Sequence, residues 1–495
     1  MRQSSNKGAF NELKQDKVKV TAPMNPGLGF TKANPQHSRG NGVTVIHLVL
    51  VTVILSALLF GAVEPWSLAV IGILTAIIFA GFASRWDNPY GKIVPTRVFV
   101  CGGIIIAYAL FQLIPLPSRW LGSIHPALRQ LLIVPDNTAK FIGSVQDAAL
   151  LKTVPALHPL SVYPFATEME LARLTIYFMI FLLAALAPRS HEDIYSVLRM
   201  LVLFGFALAL FAVVQKATWN GKLYWLRELS VNRGNPFGPF VNRNHFAGWM
   251  CMVAPLSIGL GLMSRSASRR IRYTFFAVVM ALTIFCSLSR GGIISFLAGI
   301  LTLTLIDLRW VSSKKSLVPL LGFLLLVSIY LCYLGASPII ERFAQAGLSS
   351  HERVIVWSAS LRAFMDFPIF GTGLGTFCHI FPMYKPDTVE TFYRYAHNDY
   401  IQTLVELGIV GALLVPLFLG SAGKHILGGS WRGRERHLKA GIVASLVSIA
   451  VFSFLDFNLH VPSNAILLSF ILGLAVAMSR TDGFSNRVAV SRRPT

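Results

Sequence analysis

The sequence predicts an all-α polytopic membrane protein with about twelve transmembrane helices. Hydrophobic residues make up 54% of the 495 positions and charged residues 13%, against about 25% charged residues in ordinary soluble domains. Apolar runs of about 20 residues recur along the chain, and each is long enough to cross the hydrocarbon core of a bilayer. Their approximate positions are 43–63, 66–84, 98–117, 170–187, 193–214, 245–264, 271–288, 291–307, 317–335, 400–421, 440–456 and 462–479.

The apolar runs divide the chain into five parts. A polar segment, 1–42, comes first and is expected to be disordered and cytosolic, and nine predicted spans then occupy 43–335. A large loop with short helices follows at 336–399, then three more spans at 400–479 and a basic cytosolic tail at 480–495. The first apolar run begins only after residue 42 and has full spanning length, so we expect no cleavable signal peptide.

Positive charge is concentrated in alternate loops. The net charge is +22, but the basic residues cluster after the sixth span, as at Arg269 and Arg270, and before the eleventh, as at Arg434 and Arg436. With a cytosolic N-terminus these loops share the cytosolic side, and the short joint at Glu64 on the other side has no adjacent basic residue. This pattern follows the positive-inside rule. We therefore expect two cytosolic termini, contact with membrane lipid and no nucleic-acid partner.

Polar residues gather on the opposite, non-cytosolic side. The segments that carry them are about 118–169, 215–244, Ser287–Gly292 and 336–399, with a short fifth joint at Asp456–Pro462. Membrane proteins rarely place Arg, His, Asn and Asp together at one water-facing edge without a chemical role. We therefore expect the functional site on this side.

Three arginines on this side are suited to binding a diphosphate. Arg290 stands between two apolar spans, where it needs a partner or a water-filled cavity, or else extends to the headgroups. Arg243 is flanked by Asn242 and Asn244, whose amides suit phosphate or sugar hydroxyls, and Arg353 lies in the large loop. Guanidinium groups bind phosphate oxygens bidentately and keep their charge at any working pH.

His397 stands where the large loop enters the tenth predicted span. A histidine side chain is partly neutral near pH 7 and can accept a proton as a general base; the alternative is an interface histidine hydrogen-bonded to a neighbour. Asp399, two residues on, either orients the imidazole or favours the N-terminus of the helix. His460, on the same side, either binds donor or acceptor or caps the joint before Pro462.

Three further polar residues, Asn398, Gln402 and Glu406, are spaced by four and share one helix face just inside the bilayer. They either form interhelical hydrogen bonds or make the polar wall of a cavity. For Asn398 and Gln402 structural support is the preferred interpretation. Glu406 is an ionisable group well inside a span, so support and function are about equally favoured.

The large loop also contains a predicted helix and a glycine run. Ser350 can cap a helix at about 351–366, with Arg353 and Trp357 on one face. The run Gly371–Gly375 then breaks the helix. It follows a helix instead of a strand and lacks the third glycine of a dinucleotide-binding fingerprint, so we interpret it as a turn.

No metal or other cofactor is expected. Cys101, Cys251, Cys286 and Cys332 lie in apolar spans, and Cys378 stands alone in the large loop. No Cys/His spacing resembles a zinc site, and the sequence has no Asp-x-Asp pair to hold a divalent cation.

The order of these motifs resembles the O-antigen ligase/polymerase superfamily of bacterial envelopes. The resemblance covers roughly 155–465, and the first 42 residues do not share it. The segments that carry it are Leu160–Pro164, Asn242–Ala247, Ser289–Gly292, Arg353–Trp357, Gly371–Phe377 and Ala396–Gly408. Within the last segment His397 is followed eleven residues later by Gly408, which fits the catalytic-loop signature of the family.

The resemblance implies a metal-independent, inverting glycosyltransferase of the bacterial inner membrane, with its active site facing the periplasm. Members of the family transfer a glycan from undecaprenyl diphosphate to an acceptor hydroxyl, with the loop histidine as general base and arginines on the diphosphate. Carried over by motif, His397 is the base and Arg290 and Arg353 are diphosphate ligands. Arg243 matches the family in its surroundings more than in its role.

Two other functions stay open at this stage, a flippase or other transporter of lipid-linked glycans and a scaffold of envelope assembly. A transporter usually has its polar site near the bilayer midplane and often has internal repeats, neither of which the sequence indicates. A scaffold would not need His397 as a base. For the transferase, the acceptor is a lipid A core, another lipid-linked glycan or a protein hydroxyl, and the motifs do not separate these.

Overall fold

The computed structural model describes residues 39–85, 96–117, 119–121, 157–228, 236–311, 346–428 and 433–491, with the single positions 322, 325 and 329. Apart from Arg39, these residues belong to one compact unit, Gly40–Thr495. The polar segment 1–42 and the ninth predicted span, 317–335, lie almost wholly outside the described residues. Most of the predicted loop 118–169 also lies outside them.

The described residues are almost entirely helical. The α-helices are α1 Arg39–Leu58, α2 Pro65–Ala83, α3 Thr96–Phe111, α4 Pro164–Leu186, α5 His191–Ala217, α6 Arg243–Met263, α7 Ala267–Cys286, α8 Arg290–Val311, α9 Ala346–Asp366, α10 Phe377–Ile380, α11 Asp399–Gly428, α12 Glu435–Leu455 and α13 Pro462–Ser491. Short 3₁₀ segments occur at Phe60–Ala62, Phe381–Met383 and Asn458–His460. Strand β1, Leu116–Pro117, pairs antiparallel with β2, Leu157–His158, with Leu116 opposite His158.

Eight of the described helices are long and apolar enough to cross a membrane, and they confirm the predicted class of helical membrane protein. They are α2, α4, α5, α6, α8, α11, α12 and α13. Two more predicted spans form shorter apolar helices, Val45–Leu58 and Thr96–Phe111. The predicted span 271–288 forms α7, which is not among the eight because Arg269, Arg270 and Arg272 occupy its first turns. The count of twelve stays a prediction.

Proline and polar caps set the starts of several helices. Proline is the first residue of α2, α4 and α13, a position where its missing N–H costs nothing. Ser190 and Asp193 form a capping box at the start of α5, and the Asn242 side chain caps α6. The helix predicted at about 351–366 is confirmed as α9, but it begins upstream of Ser350, at Ala346.

The bundle is built around α6, α12 and α13, whose sides are the most enclosed of the eight spans. Helix α6 packs against α12, α7 and α8, and α13 packs against α4. Large side chains such as Trp249, Phe246, Phe452 and Phe470 are fully buried between them. This central group fixes where the ends of α6, α8, α12 and α13 meet.

Helix α11 is broken at Gly408. This residue has φ +61° and ψ −166°, a conformation that is essentially restricted to glycine. A Cβ atom at Gly408 would lie 2.3 Å from the carbonyl oxygen of Ile369. The segment 368–375, which contains the glycine run, therefore lies against the break in the helix.

The glycine run supplies the hydrogen bonds that the broken helix lacks. The N–H of Thr372 donates to the carbonyl of Val405 at 2.9 Å, and the N–H of Gly373 donates to the carbonyl of Glu406 at 2.9 Å. From α3, the Gln112 amide nitrogen also donates to the carbonyl of Glu406 at 3.1 Å. Backbone groups in an apolar environment must be paired, so the run does more than make the turn that its sequence indicates: it completes α11.

The two ends of the bundle carry different polar groups. Arg434 donates to the carbonyl of Ser264, just after α6, and Arg480 donates to the carbonyls of Leu186 and Pro188, just after α4. These contacts lie at the C-terminal ends of α4 and α6. His397 lies at the opposite end, where α4, α6, α8, α11 and α13 begin and α12 ends.

Candidate active site

His397 lies immediately before α11 and has a left-handed backbone with φ +51°, which is uncommon for a residue other than glycine. Its neighbours are fixed on both sides. Trp357 donates its indole N–H to the carbonyl of Ala396 at 3.0 Å, and the side-chain oxygen of Gln402 accepts the Ala396 N–H at 3.0 Å. The Asn398 side chain accepts two backbone N–H groups of α11 at 3.0 and 3.1 Å. The surrounding structure thus holds a strained residue at the site.

His397 and Asp456 form a hydrogen-bonded pair. Nδ1 of His397 lies 2.8 Å from Oδ1 of Asp456, and 27% of the histidine side chain is exposed while the aspartate is buried. Burial raises the pKa of Asp456, but the hydrogen bond and charge of His397, with the charges of Arg353 and His245, outweigh it and hold that pKa far below its usual value. An ionised Asp456 only accepts, so Nδ1 carries the hydrogen, and in the neutral ring Nε2 then keeps its lone pair.

Three predicted substrate ligands support this pair. Asn244 donates its side-chain amide to Oδ2 of Asp456 at 2.6 Å, and Arg353 donates to the carbonyl of Leu455 at 2.7 Å. The Asn242 side chain accepts the N–H of Asn244 at 2.9 Å. These contacts fix the end of α12 against the start of α6 and against α9, and therefore fix the carboxylate that orients His397.

Asp399 orients His460. Its Oδ1 lies 2.9 Å from Nδ1 of His460, and its Oδ2 accepts the N–H of Leu459 at 3.1 Å. The sequence left open whether Asp399 orients His397, but the structure assigns that contact to Asp456, which is 59 residues further along the chain. The site therefore contains two His–Asp pairs.

The second pair lies in a cluster of carboxylates. Burial lowers the pKa of His460, but the hydrogen bond and charge of Asp399, with the charges of Glu406 and Glu170, raise it to about 9. The Gln402 amide nitrogen lies 3.0 Å from Nε2 of His460, an arrangement that suits the neutral ring. One neutral hydrogen bond contributes only about 1 kcal/mol, so we expect the carboxylates to prevail, while the Gln402 amide stays fixed by Ala396 and Glu406.

Glu406 holds the glycine run against α11. Its Oε2 accepts the N–H of Gly375 at 2.8 Å, and its Oε1 accepts the N–H of Phe377 at 3.2 Å and the Gln402 amide at 2.9 Å. The side chain is buried. Gln402 and Glu406 also line a cavity, so both interpretations of the predicted polar face, support and cavity wall, apply to them.

Two cavities open at this end of the bundle. The first, the His397 cavity, has a volume of about 560 Å³, and its lining includes His397, Asn242, His245 and Phe457. The second, the α2–α4 cavity, has a volume of about 710 Å³ and is lined by residues of α2, α4 and the loop after the glycine run. Volumes in this range are typical of small-molecule sites.

The three predicted arginines lie at the same end of the bundle but do not line these cavities. Arg243 is the first residue of α6, Arg290 is the first residue of α8 and Arg353 lies on α9. In the described lining of the two cavities none of the three occurs, whereas Arg173 and Arg394 occur in both. The role of Arg243, Arg290 and Arg353 as diphosphate ligands stays a prediction.

Four residues of this site are not among the residues predicted from the sequence. Asp456 was seen only as part of a short joint, and its pairing with His397 is a contact between distant parts of the chain that spacing does not reveal. Glu170 and Arg173 carried an available signal, because two ionisable residues inside one apolar span suggest function by default. Arg394 is one of several arginines in its loop, and no pattern distinguished it.

One region of the chain is similar to a known protein family. Residues 275–415 match the O-antigen ligase family. The matched region contains Arg290, Arg353 and His397, and it ends before Asp456. No curated protein matches the chain. That match confirms the predicted resemblance to the O-antigen ligase/polymerase superfamily over residues 275–415.

Proposed function

We propose that this protein is a glycosyltransferase of the bacterial inner membrane that transfers a glycan from undecaprenyl diphosphate to an acceptor hydroxyl at the periplasmic face. The observation that carries the proposal is the His397–Asp456 pair, which faces a cavity of about 560 Å³ in a chain with an O-antigen ligase region. The acceptor is a lipid A core, another lipid-linked glycan or a protein hydroxyl.

The geometry of the pair suits general base catalysis. Nδ1 of His397 is hydrogen-bonded to Asp456, so Nε2 is the nitrogen that accepts the proton of the acceptor hydroxyl. As that proton moves to Nε2, the acceptor oxygen attacks the anomeric carbon from the face opposite the diphosphate. The bond from that carbon to the phosphate oxygen breaks, its electron pair leaves with the diphosphate, and the configuration inverts. The Asp456 carboxylate stabilises the imidazolium that forms.

Arginine can supply the positive charge that the leaving diphosphate needs. A guanidinium group forms two parallel hydrogen bonds to phosphate oxygens and remains charged at the pH of the reaction. Such fixed charges stabilise the developing negative charge without having to reorganise. We therefore propose a metal-independent reaction and expect a chelator to leave the rate unchanged.

Glycan transfer by the purified full-length protein in detergent tests the proposal. The donor is a lipid-diphosphate glycan, and lipid A core, lipid-linked glycan and hydroxyl-bearing peptide are offered in turn as acceptors. His397→Ala is expected to lose at least about a hundredfold in rate, while His351→Ala, an exposed histidine on α9, should be unaffected. Undiminished transfer by His397→Ala would refute the base assignment. Donor movement across reconstituted vesicles without any transfer would favour a flippase.

A further inference from the structure

The two cavities share part of their walls. Four described side chains line both of them: Arg173, Arg394, Tyr395 and His460. Beyond these shared residues the α2–α4 cavity presents mainly apolar groups from its two helices. They are Leu68, Ala69, Gly72, Met169, Ala172 and Ile176. The lining also includes the polar side chains Glu170, Gln402 and Glu406. The shared residues therefore form a junction between this mainly apolar chamber and the chamber that contains the proposed base.

Arg173 brings a cation into a helix that is otherwise suited to the membrane. A charged side chain in such a segment is costly and is usually paired or exposed to a water-filled cavity. Arg173 forms an ion pair with Glu170 and interacts with Tyr395, and 18% of its side chain is exposed. Its Nε atom is buried and has no hydrogen-bond partner. One donor of Arg173 at the junction is therefore unused.

Arg394 approaches the junction from a separate element, the loop that leads to His397. Its guanidinium carbon lies 5.9 Å from the centre of the Tyr395 ring, and its side chain is exposed. Tyr395 is held in place by stacking on Phe457, with 4.5 Å between ring centres. Two arginines from different parts of the chain thus converge on one fixed aromatic ring, two residues before the proposed base.

We propose that Arg173 and Arg394 bind the diphosphate of the donor at this junction, with the polyprenyl chain in the α2–α4 cavity and the first sugar in the His397 cavity. This inference rests on the proposed function. A polyprenyl-diphosphate glycan is apolar, then anionic, then polar along its length, and the apolar chamber, the junction and the His397 cavity follow the same order. The assignment differs from the family-based one, which places the diphosphate on Arg290 and Arg353.

Glu170 competes with the proposed diphosphate for Arg173. Its carboxylate forms an ion pair with Arg173 and must be displaced, at least in part, when a diphosphate binds. Glu170 therefore competes with the ligand for the guanidinium group. His460 lies at the same junction, but its Nε2 atom faces Gln402, so we do not count it among the diphosphate ligands.

Binding of geranylgeranyl diphosphate to the purified full-length protein tests the inference without any glycan or turnover. We expect Arg173→Gln and Arg394→Gln each to weaken binding by about ten- to a hundredfold, the usual range for a lost hydrogen bond to a charged group. Arg362→Gln, which changes an exposed arginine on α9, should bind as the wild type does. Glu170→Gln is expected to tighten binding roughly threefold or more, because the competing charge is lost.

Further arms of the same experiment separate this inference from its rivals. Geranylgeraniol, which lacks the diphosphate, should bind the Arg394→Gln protein and the wild type equally. The inference is overturned if Arg290→Gln and Arg353→Gln abolish binding while Arg394→Gln does not, or if Glu170→Gln weakens binding as Arg173→Gln does. A normal binding pattern in a protein without transferase activity would refute the proposed function alone. Active transfer with binding insensitive to Arg173 and Arg394 would refute this inference alone.

Discussion

Replacement of Asp456 by asparagine is the sharpest test of the mechanism. The change keeps the size of the side chain but removes the ionised acceptor that lies 2.8 Å from Nδ1 of His397. An asparagine amide can present its N–H₂ group to Nδ1, which then becomes the accepting nitrogen and leaves the hydrogen on Nε2. Nε2 would then carry the hydrogen and could not accept the proton of the acceptor hydroxyl.

The expected loss follows from the same logic in other enzymes. In serine proteases the equivalent aspartate-to-asparagine change leaves the geometry intact and lowers kcat by about 10⁴-fold. For Asp456→Asn we expect a fall in kcat of about 10² to 10⁴, which corresponds to about 3–5 kcal/mol in the activation barrier. Because donor binding does not depend on this carboxylate, the KM for the donor should change little.

The assay is glycan transfer at saturating donor, with two matched aspartate variants. Asp366→Asn alters an exposed carboxylate that accepts from the Tyr384 hydroxyl and should leave kcat unchanged. Asp399→Asn removes the negative charge that pairs with His460, and it should lower kcat clearly less than Asp456→Asn does. Activity of Asp456→Asn within about threefold of the wild type, in a protein that binds donor normally, would refute the assignment of His397 as an oriented base.

Two more predictions concern stability, measured as the melting temperature Tm of the purified protein in detergent. Gly408→Ala forces a side chain onto a glycine-only backbone, 2.3 Å from the Ile369 carbonyl oxygen, and should lower the free energy of unfolding by about 3 kcal/mol or more. The control Gly420→Ala, in the same helix, meets no atom within 4 Å and should be tolerated. Equal losses of Tm in the two variants would contradict the prediction. The fold raises the pKa of His460 to about 9, so its stabilisation by Asp399 is complete below about pH 6.5 and is lost as the pH rises through 9. The Tm advantage of the wild type over His460→Gln should therefore shrink between pH 6.5 and 9, and a constant difference would contradict it.

Much of the fold could be predicted because apolar length alone identifies a membrane helix. The runs that became α4, α5, α6, α12 and α13 are visible in the sequence for that reason. The run 271–288 likewise became α7, although three arginines in its first turns make this helix more charged than the eight that are apolar enough to cross a membrane. The break in α11 was hidden, because a single glycine inside an apolar run does not reveal that another segment fills the gap.

The candidate site was predictable where one short segment carries the signal. His397 could be found because a histidine at the entrance to a span, with polar neighbours, is unusual. Its partner Asp456 could not, because the contact depends on the start of α11 lying beside the end of α12. The three predicted arginines were chosen for the phosphate chemistry of guanidinium, which a sequence can show. A sequence cannot show which arginines face a cavity, because that depends on how helices and loops are arranged. In the described lining of the two cavities these arginines are Arg173 and Arg394.

The region that matches the O-antigen ligase family does not contain the whole candidate site. Residues 275–415 include His397 and the break at Gly408, but the carboxylate that sets the tautomer of His397 belongs to Asp456, and that carboxylate is held by Asn244. Arg173 lies still further from the matched region, on α4. The proposed base is therefore oriented only when α6 and α12 are assembled around His397. The candidate site belongs to the whole bundle: the matched region supplies His397, Asp399 and Arg394, whereas Asp456 and Arg173 lie outside it.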